Sequence, residues 1–177
     1  MSMRRRLRHR APLVWIGIAL IQSLTVEAPA AQKTTPADPA SSAVRAFYRF
    51  HFAHNKAFTA RNVRQRQPWL TPELHKLLLD ELKREAEESK AHPDEAPYFE
   101  GDPFTDSQEP PDSFRVGKSD VSGDRAKVPV TLLWSARTSR GRDKRDIVIE
   151  LSRAGNRWLV NDVINSDGKR LRDELKR

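Results

Sequence analysis

Three small sets of residues carry whatever chemistry this chain could perform. Asp162 lies in the run Arg157-Trp158-Leu159-Val160-Asn161-Asp162-Val163-Ile164, beside Trp158 and Val160. A carboxyl buried among such neighbours can acquire a raised pKa and act as a general base, with Tyr48 and His51 supplied by an upstream helix. The competing role is structural, since an Asp at a strand's end more often bonds backbone or an arginine. Glu100, Asp102 and Asp106, with Glu109 beyond them, offer oxygen ligands that a hard cation could use. They do not fit the spacing of a calcium-binding loop, and Pro103 stiffens their middle, so solvated acids or contacts to a partner are expected. Arg137, Arg140, Arg142, Lys144 and Arg145 form a basic hairpin tip beside Trp134. That tip suits an acidic protein, an anionic lipid or a glycan, or else keeps an edge soluble.

Other chemistries are excluded or weakened. The chain has no cysteine, which removes disulfides, thiolate metal sites, a Cys nucleophile and a lipid-bearing Cys. His51 and His54 are three apart, but no acid or third His accompanies them in sequence, so no metal is expected. No Gly-rich phosphate loop is present and no cofactor is expected. The count of 32 basic against 24 acidic residues gives +8. Arg4, Arg5, Arg6, Arg8 and Arg10, with Glu27, fall in the first thirty positions, and without them the balance is 27 against 23, or +4. Much of the basicity therefore belongs to a leader, and no nucleic acid is expected as partner.

The elements that must position these residues follow the chain. Residues 1–30 have the charged, apolar and small-residue parts of a secretory signal, with a cut expected after Ala30. An uncleaved anchor is the alternative, disfavoured by a short apolar run that Gln22, Ser23 and Thr25 interrupt. Membrane contact is then confined to export. Residues 31–40 read as a disordered linker and 41–177 as one domain. A first helix, capped by Ser41 or Ser42, places Val44, Phe47, Tyr48, His51 and Phe52 on one face. A basic connector from Arg61 to Gln67 leads to a helix capped by Thr71 with Pro72 at its first position, an apolar stripe Leu74, Leu77, Leu78 and Leu82, and an outer face of solvated charges paired Asp80–Arg84, Lys83–Glu87 and Arg84–Glu88. Residues 93–112 form a long loop with seven acids and neither Lys nor Arg, anchored by Tyr98, Phe99 and Phe104. Antiparallel strands follow, one near 113–118 and one alternating from Ala126 to Ala136, in which Pro129 demands an edge or a bulge. A third runs through Ile147, Ile149 and Leu151, and the fourth holds Trp158. A short last helix, capped by Asp167, buries Leu171 and Leu175.

This order gives an α+β domain: N-terminal helices packed on a curved antiparallel meander, with a short C-terminal helix. Ala46-Phe47-Tyr48, the loop Gly101-Asp102-Pro103-Phe104 with Gln108, the strand Gly123-Asp124-Arg125-Ala126-Lys127-Val128 and the close Trp158-Leu159-Val160-Asn161-Asp162-Val163 resemble the bacterial domain-of-unknown-function family 3828 over about residues 43–176. The resemblance implies an exported protein with a cystatin-like cone, similar to nuclear transport factor 2. It brings no known activity and no catalytic residues. Many members are lipoproteins with a Cys at the cleavage site, which this chain lacks, so tethering is not implied. The domain is therefore expected to be a periplasmic or secreted non-enzymatic binding module for another envelope protein or an anionic envelope component. A small pocket enzyme or ligand carrier is the alternative. An open cone lined by Asp162, Tyr48 and His51 would favour the alternative, and a cone plugged by Trp158, Trp134 and Phe47 the binding module.

Overall fold

A computed structural model describes residues 38–135 and 143–177. The expected leader, most of the expected linker, and Arg137, Arg140 and Arg142 of the expected basic tip lie outside the described residues. The first helix, α1 (Pro39–Ala53), begins earlier than Ser41: Asp38 is its cap and accepts from the amides of Ala40 and Ser41 at 3.1 and 3.3 Å. Ala40 is fully buried, so the last residues assigned to the linker belong to the folded domain. The basic connector is itself helical, α2 (Ala60–Arg66), capped by Thr59 and followed by a 3₁₀ turn at Gln67–Trp69. The longest helix, α3 (Pro72–Ala91), starts at the Thr71 cap with Pro72 next to it, as its sequence dictates.

Five strands make one antiparallel sheet: β1 (Ser113–Val116), β2 (Asp120–Ser122), β3 (Arg125–Leu133), β4 (Lys144–Ala154) and β5 (Arg157–Ile164). The order is β1-β3-β4-β5, with β2 also pairing β3. Ala126, Val128, Val130 and Leu132 of β3 and Ile147, Ile149 and Leu151 of β4 are buried under α1 and α3 with Phe47, Tyr48, Leu74 and Leu78. The short α4 (Leu171–Glu174) closes the chain with Leu171 and Leu175 in the same core. Asp167 does not cap it; its Oδ1 accepts from the Lys169 amide within the preceding turn. Among the described residues, no helix is long and apolar enough to cross a membrane.

Pro129 lies in a strand with partners on both sides, not at an edge. Its carbonyl accepts from Gly117 N at 2.9 Å, so its missing N–H faces the β1–β2 side, where pairing is interrupted between Val116 and Asp120. The ladder is broken where the proline has nothing to donate. A Cβ on Gly117 would come within 2.7 Å of the Pro129 ring, which explains the glycine there. Asp38 pins this break: its Oδ2 accepts from Ser119 N at 2.9 Å, and Ser41 Oγ lies between that carboxylate and the Gly117 carbonyl at 2.7 and 2.8 Å.

Burial opposes the charge on Asp38, but the hydrogen bonds from Ser41 and Ser119 outweigh it and hold the carboxyl far below its usual range. A depressed pKa contributes stability that is complete above about pH 3.9, the ordinary Asp value, and is lost as pH falls toward the folded-state value. Asp38→Ala should therefore cost about 1 kcal/mol at neutral pH, as loss of a cap does. The deficit should shrink in urea melts below pH 3.9; a deficit that persists there would refute the assignment.

Candidate interaction site

The three residues considered for catalysis are held in two separate places. In β5 the register shifts at Asn161: Leu151 pairs with Val160, and Glu150 with Asp162. Without this bulge Asp162 would share the core face of Trp158 and Val160; with it, Val163 takes that face and Asp162 turns to the side of Glu150. There Asp162 Oδ1 accepts from the amides of Val163 and Arg172 at 2.9 and 3.0 Å, and Arg170 Nη2 lies 2.9 Å from Oδ2. Burial raises the Asp162 pKa, while the Arg172 amide and the Arg170 charge pull it back. The carboxylate thus closes the start of α4. Asp162→Ala should leave the buried Val163 amide without an acceptor, at about 1–3 kcal/mol, and the part-buried Arg172 amide likewise at a smaller cost. Asp162→Asn keeps one acceptor oxygen and should cost less; equal losses for both variants in denaturant melts would contradict this.

Tyr48 and His51 belong to a buried chain under α2. Arg66, 2% exposed, donates from Nε to His51 Nδ1 at 2.8 Å and from its two Nη atoms to the carbonyls of Asn62 and Asn55 at 2.8 and 2.9 Å. Because a guanidinium only donates, His51 carries its proton on Nε2 and gives it to Asp102 Oδ2 at 2.6 Å. Asp102 accepts further from Thr105 Oγ1 and the Phe104 amide, at 2.9 and 3.0 Å. Tyr48 donates to the Phe104 carbonyl at 2.7 Å, and burial followed by the Asp102 charge raises its pKa well above the ordinary value. Both imidazole nitrogens are engaged within the fold and His51 is fully buried, so neither nitrogen faces solvent. The sequence placed no acid near His51; the fold brings Asp102 to it from the long loop.

That loop is consequently a pinned structure. Asp102 is buried and is no surface ligand, which removes it from the acidic patch expected of Glu100, Asp102 and Asp106. Phe104 is buried and Phe99 packs on Phe58, while Phe99 N donates to Glu85 Oε1 at 3.0 Å. Tyr98 is no anchor: it is 49% exposed, with the Arg177 guanidinium 3.6 Å from its ring centroid. Glu100 is exposed and bonded to Gln108. Asp106 pairs with Arg145 at 3.3 Å, so part of the expected acidic and basic patches neutralise each other.

Trp134 does not plug the core. It is half-buried, its indole N–H donates to the Glu109 carbonyl at 3.0 Å, and it lines a cleft of about 640 Å³ with Asp112, Asp143, Lys144 and Arg145. Phe47 and Trp158 are buried as the binding reading required. A second cleft of about 670 Å³ runs between residues 54–58 and the loop, past Glu85, Phe99, Glu100 and Gln108. The outer face of α3 is also more than a solvated surface. Lys83–Glu87 stands at 3.9 Å, but Asp80 pairs with Lys76, and Arg84 turns to Glu81, which is fully buried and also receives Arg177 at 2.5 Å.

No family model matches the chain, and no curated protein matches it with significance. Among solved structures, a chain of the type VI native effector–immunity complex Tae3–Tai3 from Ralstonia pickettii aligns with it at a TM-score of 0.46 and 18% identity, over 72% of this chain and 95% of that one. That likeness is too distant to transfer a partner or an activity, and the functional reading rests on this chain's own geometry.

Proposed function

We propose that this protein is a non-enzymatic interaction domain of the cell envelope, exported by its leader and recognising a charged partner through the pinned loop 97–112 and the Trp134 cleft. The observation that carries this reading is the internal consumption of the candidate catalytic groups. Both nitrogens of His51, the Tyr48 hydroxyl and Oδ1 of Asp162 are spent on the fold. What reaches the surface is a stiffened rim of mixed charge with a half-buried Trp, the composition of a recognition surface. Kinship with domain-of-unknown-function family 3828 and residence in the periplasm or outside the cell belong to the same proposal.

Export is tested by sequencing the N-terminus of the exported protein, which should begin at Ala31 or within a few residues. A mature species still carrying Arg4–Arg10 overturns it. Recognition is tested with the double variant Glu100→Lys and Lys144→Glu, which keeps the net charge and exchanges its signs on the rim. It should lose an envelope protein that the wild type retains, and stability should barely change because exposed charges contribute little. Turnover of a small molecule that disappears in Asp162→Asn would overturn the non-enzymatic reading.

A further inference from the structure

We propose that the outer surface of α1, α2 and the 3₁₀ turn is a second binding face, built to take an extended acidic segment of a partner protein. It rests on the interaction reading but uses residues outside the loop 97–112 and the Trp134 cleft. From Pro39 to Pro72 the chain contains Arg45, Arg49, Lys56, Arg61, Arg64 and Arg66 and not one Asp or Glu. Arg66 is spent inside. Arg45, Arg49, Arg61 and Arg64 are exposed, and among the described residues none of them makes an ion pair. Elsewhere, five of the nine described arginines, Arg84, Arg145, Arg170, Arg172 and Arg177, each meet a carboxylate, whereas here no acid lies within the stretch to meet one. The uncompensated charge is felt locally, since His75 is lowered first by burial and then by Arg64.

The same stretch of chain carries an ordered stack of rings. Phe50 lies between His54 and Trp69, with centroids 3.9 and 4.2 Å away. His54 donates from Nδ1 to the Phe50 carbonyl at 2.7 Å, which holds its ring on the stack. The turn bearing Trp69 is tied to β5 by Arg157, whose Nη2 donates to the Pro68 carbonyl at 2.5 Å. Exposed arginines together with rigid aromatic rings are the composition of interface hot spots, because rigid rings lose little conformational entropy on binding. Unpaired guanidiniums fit carboxylates in a bidentate manner, so the complementary ligand is acidic. A membrane surface suits the patch less well. Phe50 and Trp69 stack on one another and are half-buried, so neither is free to enter an acyl layer as a separate anchor.

The probe is a fluorescein-labelled peptide of alternating glutamate and tyrosine, followed by fluorescence anisotropy with the purified protein. Vesicles containing phosphatidylglycerol and an oligodeoxythymidylate serve as competing anions. The wild type should bind the peptide, and more weakly as salt rises. The Arg49→Glu, Arg64→Glu double variant should lose about tenfold or more in affinity, and Trp69→Ala about tenfold. The rim variant Glu100→Lys, Lys144→Glu should bind the peptide as the wild type does, while losing the envelope protein, so the two surfaces fail separately. Thermal melts establish that each variant is folded; if Trp69→Ala is not, the double arginine variant decides, since both its positions are exposed. Absence of peptide binding by the wild type, an unchanged affinity in the arginine variant, or tighter binding of the vesicles or the oligonucleotide than of the peptide each overturns the proposal.

Discussion

Arg66→Met is expected to destabilise the protein by about 3–5 kcal/mol, the cost of removing one partner from a buried charge pair. Methionine replaces the apolar stem and leaves three kinds of damage. The Asp102 carboxylate, 6% exposed, loses the positive charge that reaches it through His51. His51 Nδ1 loses its donor, and so do the carbonyls of Asn55 and Asn62. Because Asp102 also holds Phe104 and Thr105, the loss should appear twice, as a lower midpoint in urea and as faster amide exchange across residues 102–107. Arg64→Met, two positions earlier and exposed, is the control and should stay within about 0.5 kcal/mol of wild type. A loss under about 1 kcal/mol for Arg66→Met would mean that water reaches the chain and compensates it.

Trp158→Ala should cost a similar amount, about 3–5 kcal/mol, by a different mechanism. Its ring is 8% exposed at the start of β5, opposite Arg153, whose guanidinium lies 4.9 Å from the ring centroid. Truncation removes the apolar area and leaves a cavity beside Val160, while Arg153 loses the aromatic face it covers. Trp158→Phe, which keeps most of the area, should recover more than half of the loss. If the alanine variant melted within about 1 kcal/mol of wild type, Trp158 would have to be exposed in solution.

The parts of this fold that were legible in the sequence are those set by local pattern. The Thr71-Pro72 start of α3, the alternation of β3 and β4 and the inward face of α1 each follow from residues a few positions apart. What was not legible depends on contacts between distant residues or on a single inserted one. The helix α2 carries too short an apolar stripe to stand out and is defined by Arg66 reaching back to His51. Asp102 lies 51 residues from His51, so no spacing rule joins them. The role of Asp162 turns on one bulge, since an extra residue at Asn161 reverses which side chains face the core, and alternation counted along the strand cannot reveal it. Pro129 was expected at an edge or a bulge; it lies in an inner strand, and the break is met by dividing the neighbouring strand, whose two pieces are one residue out of register across it.

That division has a consequence for how the protein coexists with others at high concentration. An incoming strand seeks a long, straight row of unsatisfied amides and carbonyls to template on. On one side of the sheet it finds two pieces, Ser113–Val116 and Asp120–Ser122, separated by the kink that Pro129 imposes and Asp38 fastens. On the other side, Thr71 N already occupies the Val160 carbonyl at 2.8 Å, and Arg170 folds back to bridge Ile164. Neither margin offers a continuous seam of free amides and carbonyls, so both are poor templates for an added strand. A partner is accordingly expected to recognise side chains and loop surfaces, not to add itself to the sheet.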